Sequence, residues 1–265
     1  HYLKEIHKGE TAMQAIDRIC FKKNGLLINE FDNLYKALFN NYQNHVKIIF
    51  ALSSKMKGLT RKEIIFKTKL SDGGTFTSIL EELEWCNFIK GQSAFGKTKK
   101  ETLYRLTDEY SLFYIKFMYK KKNINWQQLS AGNTWKSWSG YAFENVCIKH
   151  ITQVKTALGI SGVFTEEGGF NFKGTKTQKG AQIDLLINRN DGVINLCEAK
   201  FHGKEFTISK SYASELKSKK DTFERVSATH KTVFITMITT HGLIENSHST
   251  SMVQQQINMN SLFDS

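Results

Sequence analysis

Asp184, Glu198 and Lys200 are the residues whose types and spacing point most directly to chemistry. Asp184 sits in the apolar run Gln182-Ile-Asp-Leu-Leu-Ile187. Glu198 and Lys200 close a second run, Val193-Ile-Asn-Leu-Cys-Glu-Ala-Lys200. Short apolar runs bounded by turn residues read as buried strands, and Arg189-Asn-Asp-Gly192 reads as the turn between them. Residues two apart on a strand share a face, so Glu198 and Lys200 point the same way as Ile194 and Leu196. Two carboxylates on neighbouring strands suit a hard divalent cation such as Mg²⁺ (or Mn²⁺). Such an ion polarises a phosphoryl oxygen and acidifies a bound water. A lysine beside them can position that water or neutralise developing charge. The pattern points to metal-assisted phosphodiester hydrolysis. A second reading stays open, in which Glu198 and Lys200 form an ordinary ion pair at a strand end. A charged trio on a buried strand is costly unless it is paired or metal-bound.

The elements that must position these residues fall in the second half of the chain. A long helix is expected from Ser137 to about Leu158. Strands are expected near 160–166, 169–173, 182–188 and 193–201. A helix from Ser209 to Lys220 or beyond carries Lys217, Lys219 and Lys220. A strand over Lys231–Thr239 and a short one within Met252–Met259 complete this half. In the first half, apolar residues at three-to-four spacing predict helices over Ala12–Phe21 and Asn29–Phe39. Residues 44–108 fit a winged helix. A first helix covers His45–Lys55. Thr60-Arg-Lys-Glu63 is a capping box opening a second. Thr75–Asn87 forms a third, and a hairpin spans Phe88–Leu106. Asp108–Lys122 reads as an aromatic helix ending in three lysines. The Asn- and Gln-rich stretch 123–136 reads as a linker.

The residues Asp184 and Glu198-Ala-Lys200 resemble the core motif of the PD-(D/E)xK nuclease superfamily, in which an acid is followed after a variable gap by Glu/Asp-x-Lys. The resemblance implies that Asp184 and Glu198 are metal ligands, that the Ala199 carbonyl is a further ligand, and that Lys200 is the catalytic lysine. It also implies an acid from the helix before the sheet, for which Glu144 in Trp138-Ser-Gly-Tyr-Ala-Phe-Glu144 is the candidate. Ile183 stands where the superfamily's name places proline. More widely, Gly25–Tyr35, Lys57–Ile64, Tyr104–Tyr114, Trp138–Glu144 and Gln182–Lys200 resemble, in their order, the C-terminal part of a prokaryotic archaeal-type AAA-like ATPase family. That likeness implies an α+β chain. Its parts would be the end of an ATPase lid (1–43), a winged-helix domain with its following helix (44–122), a linker (123–136) and a restriction-endonuclease-like domain with a mixed sheet (137–265). The ATPase core itself is missing, so the chain reads as a fragment and ATP hydrolysis does not carry over. An ATPase domain is the expected partner, in cis or in trans.

Charge points to a second partner. The chain carries a formal net charge of +12. Residues 1–136 hold 23 Lys or Arg against 13 Asp or Glu, whereas 137–265 hold 14 against 12. A basic half beside a phosphodiesterase-like half predicts binding to DNA. The candidate contacts are Thr75 and Thr77 at the start of the third helix, Lys97, Lys99 and Lys100 in the hairpin, and Lys120, Lys121 and Lys122. Glu81, Glu82 and Glu84 argue against insertion of the whole third helix into a groove. Gly91-Gln-Ser-Ala-Phe-Gly-Lys-Thr98 matches a Walker A pattern by letter. The residues after it, Lys99–Leu106, alternate like a strand, where a P-loop needs a helix. A lysine-bearing hairpin tip is the better reading. The alternative to a nuclease is a non-catalytic module that binds DNA or protein through the same fold. Four scattered cysteines without CxxC or zinc spacing fit buried thiols in a reducing, cytoplasmic setting. No apolar run approaches membrane-spanning length. The sequence has no proline at all.

Overall fold

A computed structural model describes residues 2–92, 95, 102–121, 124–175 and 177–263. The chain is α+β and divides into two compact units. The first comprises 1–91 and 103–138, the second 92–102 and 139–265.

The first unit is mainly helical. Its helices are α1 (Ala12–Ile16), α2 (Glu30–Leu38), α3 (Gln43–Ser53), α4 (Arg61–Thr68), α5 (Gly74–Trp85), α6 (Glu109–Phe113) and α7 (Trp126–Ala131). Strands β1 (Leu59–Thr60), β2 (Ile89–Gln92) and β3 (Leu103–Leu106) form a small sheet in the order β1-β3-β2. The expected capping box at the start of α4 is present. Thr60 Oγ1 accepts the Glu63 amide, and the Glu63 carboxylate accepts the Thr60 amide at 2.7 Å. Phe31, Tyr35, Ile48, Ile49, Leu52, Phe76, Leu80 and Leu83 fill the core between these helices.

The stretch expected as a linker is largely helical. Its apolar residues recur at helical spacing, and Trp126, only 1% exposed, packs edge-on against Phe113 and Phe117. The acidic helix α5 buries Phe76, Ile79, Leu80 and Leu83. Of the four cysteines, Cys20, Cys147 and Cys197 are buried, but Cys86 is exposed, contrary to the expectation of four buried thiols.

The second unit is built on a five-stranded mixed sheet of order β4-β5-β6-β7-β8. Its strands are β4 (Thr165–Phe172), β5 (Ala181–Arg189), β6 (Val193–Lys200), β7 (Thr232–Thr239) and β8 (Gln255–Asn258). Strands β4, β5 and β6 run antiparallel, while β6, β7 and β8 run parallel. The β5–β6 connection is a three-residue hairpin, and Gly192 takes the left-handed conformation at φ 86° that such a turn favours. The parallel pairs are joined through helices, α10 (Lys210–Ser227) between β6 and β7, and α11 (Ser247–Met252) between β7 and β8. Two more helices, α8 (Asn133–Lys149) and α9 (Ile151–Ala157), precede the sheet.

Among the described residues three apolar clusters form in this unit, one of them joining Ala213 and Leu216 of α10 to Ile208, Ile235 and Met237. A second joins Phe143, Cys147 and Val154 of α8 and α9 to Leu185, Ile187, Cys197 and Ile238. Another joins Phe223 of α10 to Ile183, Leu186, Ile194, Leu196 and Val233. The single long helix expected from Ser137 is thus two helices, which break at His150. The two strands expected over 160–173 are the single strand β4, whose pairing with β5 shifts register between Gly168 and Phe170. Among the described residues, no helix is long and apolar enough to cross a membrane.

Candidate functional site

The β5–β6 ladder pairs Asn188 with Ile194, Ile187 with Asn195, Leu186 with Leu196 and Leu185 with Cys197. Asp184 and Glu198 are the next residue on each strand. Both residues therefore stand at the end of the paired stretch.

A cavity of ≈ 20 Å³ opens there. It is lined by Glu144, Cys147 and Ile148 of α8, Asp184 and Leu185 of β5, Cys197, Glu198 and Ala199 of β6, and Ile238 of β7. That volume suits about one water or one small ion. Helix α8 buries Ala142, Phe143, Cys147 and Ile148, and this brings Glu144 to the cavity wall. The sequence-derived residues Asp184, Glu198, Ala199 and Glu144 thus meet at one cavity. Lys200 Nζ lies 3.1 Å from Glu198 Oε1.

Each of the two strand-end carboxylates has protein partners. Gln182 donates from Nε2 to Asp184 Oδ1 at 3.0 Å, and Gln92 donates to the Asp184 carbonyl at 3.3 Å. The Glu198 side chain is 11% exposed and is held from three sides. Lys219 Nζ donates to both its oxygens, at 3.0 and 2.9 Å. Tyr212 donates its hydroxyl to Oε1 at 3.0 Å. Lys200 completes the cage, with its ammonium 4.8 Å from the centre of the Tyr212 ring.

Burial opposes ionisation of Glu198, but the charges of Lys219 and Lys200 outweigh it and hold the carboxyl below its ordinary range. Burial also opposes the charge on Lys219, and Glu198 more than compensates, so the ammonium is held more firmly than usual. Burial, with Glu198 alongside, pushes the Tyr212 hydroxyl far up, so it acts only as a neutral donor. Burial likewise raises the Cys147 and Cys197 thiols that line the cavity, and both stay protonated.

Lys219 and Tyr212 carry no mark in the sequence motif, yet both belong to the site. A signal was present, because seven residues separate them and that spacing places both on one face of α10. The motif alone could not say that this face meets β6.

Among the described residues, no group of three or more His, Cys, Asp or Glu is placed to hold a metal ion. Mg²⁺ asks for less, because it commonly binds through one or two carboxylates and keeps several waters. The cavity lining includes Glu144, Asp184, Glu198 and Ala199, residues of the types such an ion uses.

Of the candidate nucleic-acid contacts, Thr75 and Thr77 are exposed at the start of α5. Lys120 and Lys121 are exposed after the helical turn Tyr114–Met118. Lys97, Lys99, Lys100 and Lys122 lie outside the described residues. The Walker-like stretch is flanked by β2 and β3, both strands. Within the second unit, Phe95 of that stretch meets Phe223 edge-on, and its amide donates to the Gly169 carbonyl at 2.8 Å. No family model, curated protein or solved structure matches the chain.

Proposed function

We propose that the second unit is a PD-(D/E)xK-type, metal-dependent deoxyribonuclease module. The observation that carries this reading is the meeting of Glu144, Asp184, Glu198 and Ala199 at one ion-sized cavity, with Lys200 beside it. The order helix, antiparallel β4-β5-β6, helix α10, β7 supports it.

In this reading Asp184, Glu198 and the Ala199 carbonyl would hold Mg²⁺ or Mn²⁺, which would supply Lewis-acid activation of a water and charge stabilisation at the phosphoryl oxygens. Glu144, which lines the cavity, would orient the attacking water. Lys200, aimed by its contact with Glu198, would donate to the phosphate as negative charge develops. The first unit is read as a winged helix of α3, β1, α4, α5, β2 and β3 that engages DNA. The chain as a whole is read as a portion of an ATPase-associated protein whose ATPase domain acts in cis or in trans.

The test is cleavage of single-stranded, duplex and branched DNA with Mg²⁺ or Mn²⁺. Activity is expected in the wild-type chain and should fall at least about 10³-fold in Asp184→Ala, Glu198→Ala and Lys200→Ala, on the scale of losing transition-state charge stabilisation. Glu144→Gln should retain more activity than these three.

One observation favours a second reading. Lys219 already occupies both oxygens of Glu198. A nuclease-like fold whose acid is neutralised in this way would bind DNA or protein without cutting. DNA binding without cleavage across several divalent ions would select it.

A further inference from the structure

The grip of Lys219 on Glu198 has a feature that a plain structural ion pair lacks, which is a second seat for the ammonium. Lys219 Nζ also lies 3.4 Å from Glu215, one helical turn earlier on α10, and Glu215 is 57% exposed. The Lys219 ammonium is thus held between an inner carboxylate at the cavity and an outer one at the surface. Glu198 keeps two further donors, Lys200 and Tyr212, when Lys219 moves outward. If Glu198 is a metal ligand, a divalent cation must compete with Lys219 for the Glu198 carboxylate, since Lys219 donates to both its oxygens.

We infer that Lys219 is an internal, cation-displaceable counter-ion of Glu198. It holds the carboxylate when no divalent ion is bound and withdraws to Glu215 when one binds. This inference rests on the reading of Asp184 and Glu198 as metal ligands. Lys219 is a positioning residue in this scheme, acting through Glu198. Its displacement sets the affinity and selectivity of the site, because only an ion that binds Glu198 better than an ammonium does can enter.

The experiment is calorimetric titration of the full chain with Mn²⁺, without nucleic acid, alongside thermal melting with and without Mn²⁺. Lys219→Met removes the competitor, and Mn²⁺ affinity should rise about tenfold or more, the scale on which one adjacent charge shifts a carboxylate's proton affinity. Its metal-free midpoint should drop, and Mn²⁺ should raise that midpoint by more than it does in the wild type. Lys219→Arg keeps the charge and should stay near wild-type affinity. Glu215→Gln removes the outer seat at a surface position and should weaken Mn²⁺ binding roughly two- to threefold, the scale of an exposed ion pair. Glu198→Gln should bind least.

Tighter binding in Lys219→Met, with weaker binding in Glu215→Gln, carries the inference. Equal or weaker binding in Lys219→Met, while the wild type binds Mn²⁺, overturns it and leaves the metal reading standing. If Lys219→Met does not fold, unchanged affinity in Glu215→Gln overturns it instead. No Mn²⁺ binding by the wild type removes the metal reading, and this inference with it.

Discussion

Glu198 is a carboxylate whose ionisation depends on its neighbours. Burial alone would favour the neutral acid, and two ammonium ions reverse that preference. Its folded-state pKa lies below the ordinary value of 4.5. It therefore adds stability that is present above the unfolded pKa and is lost as pH falls through the folded one. Chemical denaturation of the metal-free chain should show stability falling as pH drops below 4.5, and Glu198→Gln should flatten that part of the profile. At neutral pH, Glu198→Ala leaves Lys219 and Lys200 facing each other without their carboxylate. Breaking a buried pair costs about 3–5 kcal/mol. Lys200 is 31% exposed and Lys219 20%, so both can turn partly to water. A loss at or below the bottom of that range, about 2–3 kcal/mol, is expected. A Glu198→Ala protein as stable as the wild type would show that the cage contributes nothing to folding. The trio Asp184, Glu198 and Lys200 is legible in the sequence because strand periodicity fixes which residues share a face. Lys219 and Tyr212 are not, because their approach depends on how α10 packs on the sheet, and no local pattern encodes that.

At the scale of elements, α10 is what delivers Tyr212 and Lys219 to Glu198. Its start is fixed by Ser209, whose Oγ accepts the Tyr212 amide at 3.2 Å. Replacing a serine cap with alanine costs about 1 kcal/mol. Ser209→Ala should therefore lower stability by that amount, read by denaturant titration, and should loosen Tyr212 before it loosens Lys219 two turns further along. Other elements differ in how far their own residues announce them. Helix α4 is readable through Thr60 and Glu63, because a capping box is a local device. Strand β4 reads from the sequence as two pieces, interrupted at Glu167 and Gly168. It is an edge strand, and an edge tolerates acids and a glycine-bearing register shift that a central strand would not. Glu167 even gains a partner there, Lys155 at 3.0 Å. The 123–136 stretch misleads through its Asn and Gln content. Trp126 buries its indole among aromatic rings, so composition is a poorer guide than spacing. Trp126→Ala should cost about 3–5 kcal/mol through the cavity it leaves. Trp126→Phe should cost clearly less. A Trp126→Ala chain that melts with the wild type would mean that this cluster is dispensable.

Over the whole molecule, the basic surplus belongs almost entirely to the first 136 residues. The lysines of α10 are largely committed to acids. Lys217 pairs with Asp221 at 2.7 Å, and Lys219 pairs with Glu198 and Glu215. Lys120 and Lys121 are exposed, and their ammonium groups lie near the Tyr119 and Phe117 rings. Aromatic rings do not neutralise charge, so both lysines present theirs at the surface. If the chain binds DNA through its basic half, affinity should fall linearly with the logarithm of salt concentration, and each phosphate contact should contribute about 0.9 to the slope on duplex DNA. Lys120→Gln and Lys121→Gln should each weaken binding and shallow that slope by close to one contact. Lys217→Gln removes the same formal charge from a lysine already paired with its own acid, and should leave the slope nearly unchanged. The contrast separates a located binding surface from the diffuse attraction of a positively charged protein. Diffuse attraction would make all three substitutions equivalent, and that result would remove the basic half as the DNA-engaging part.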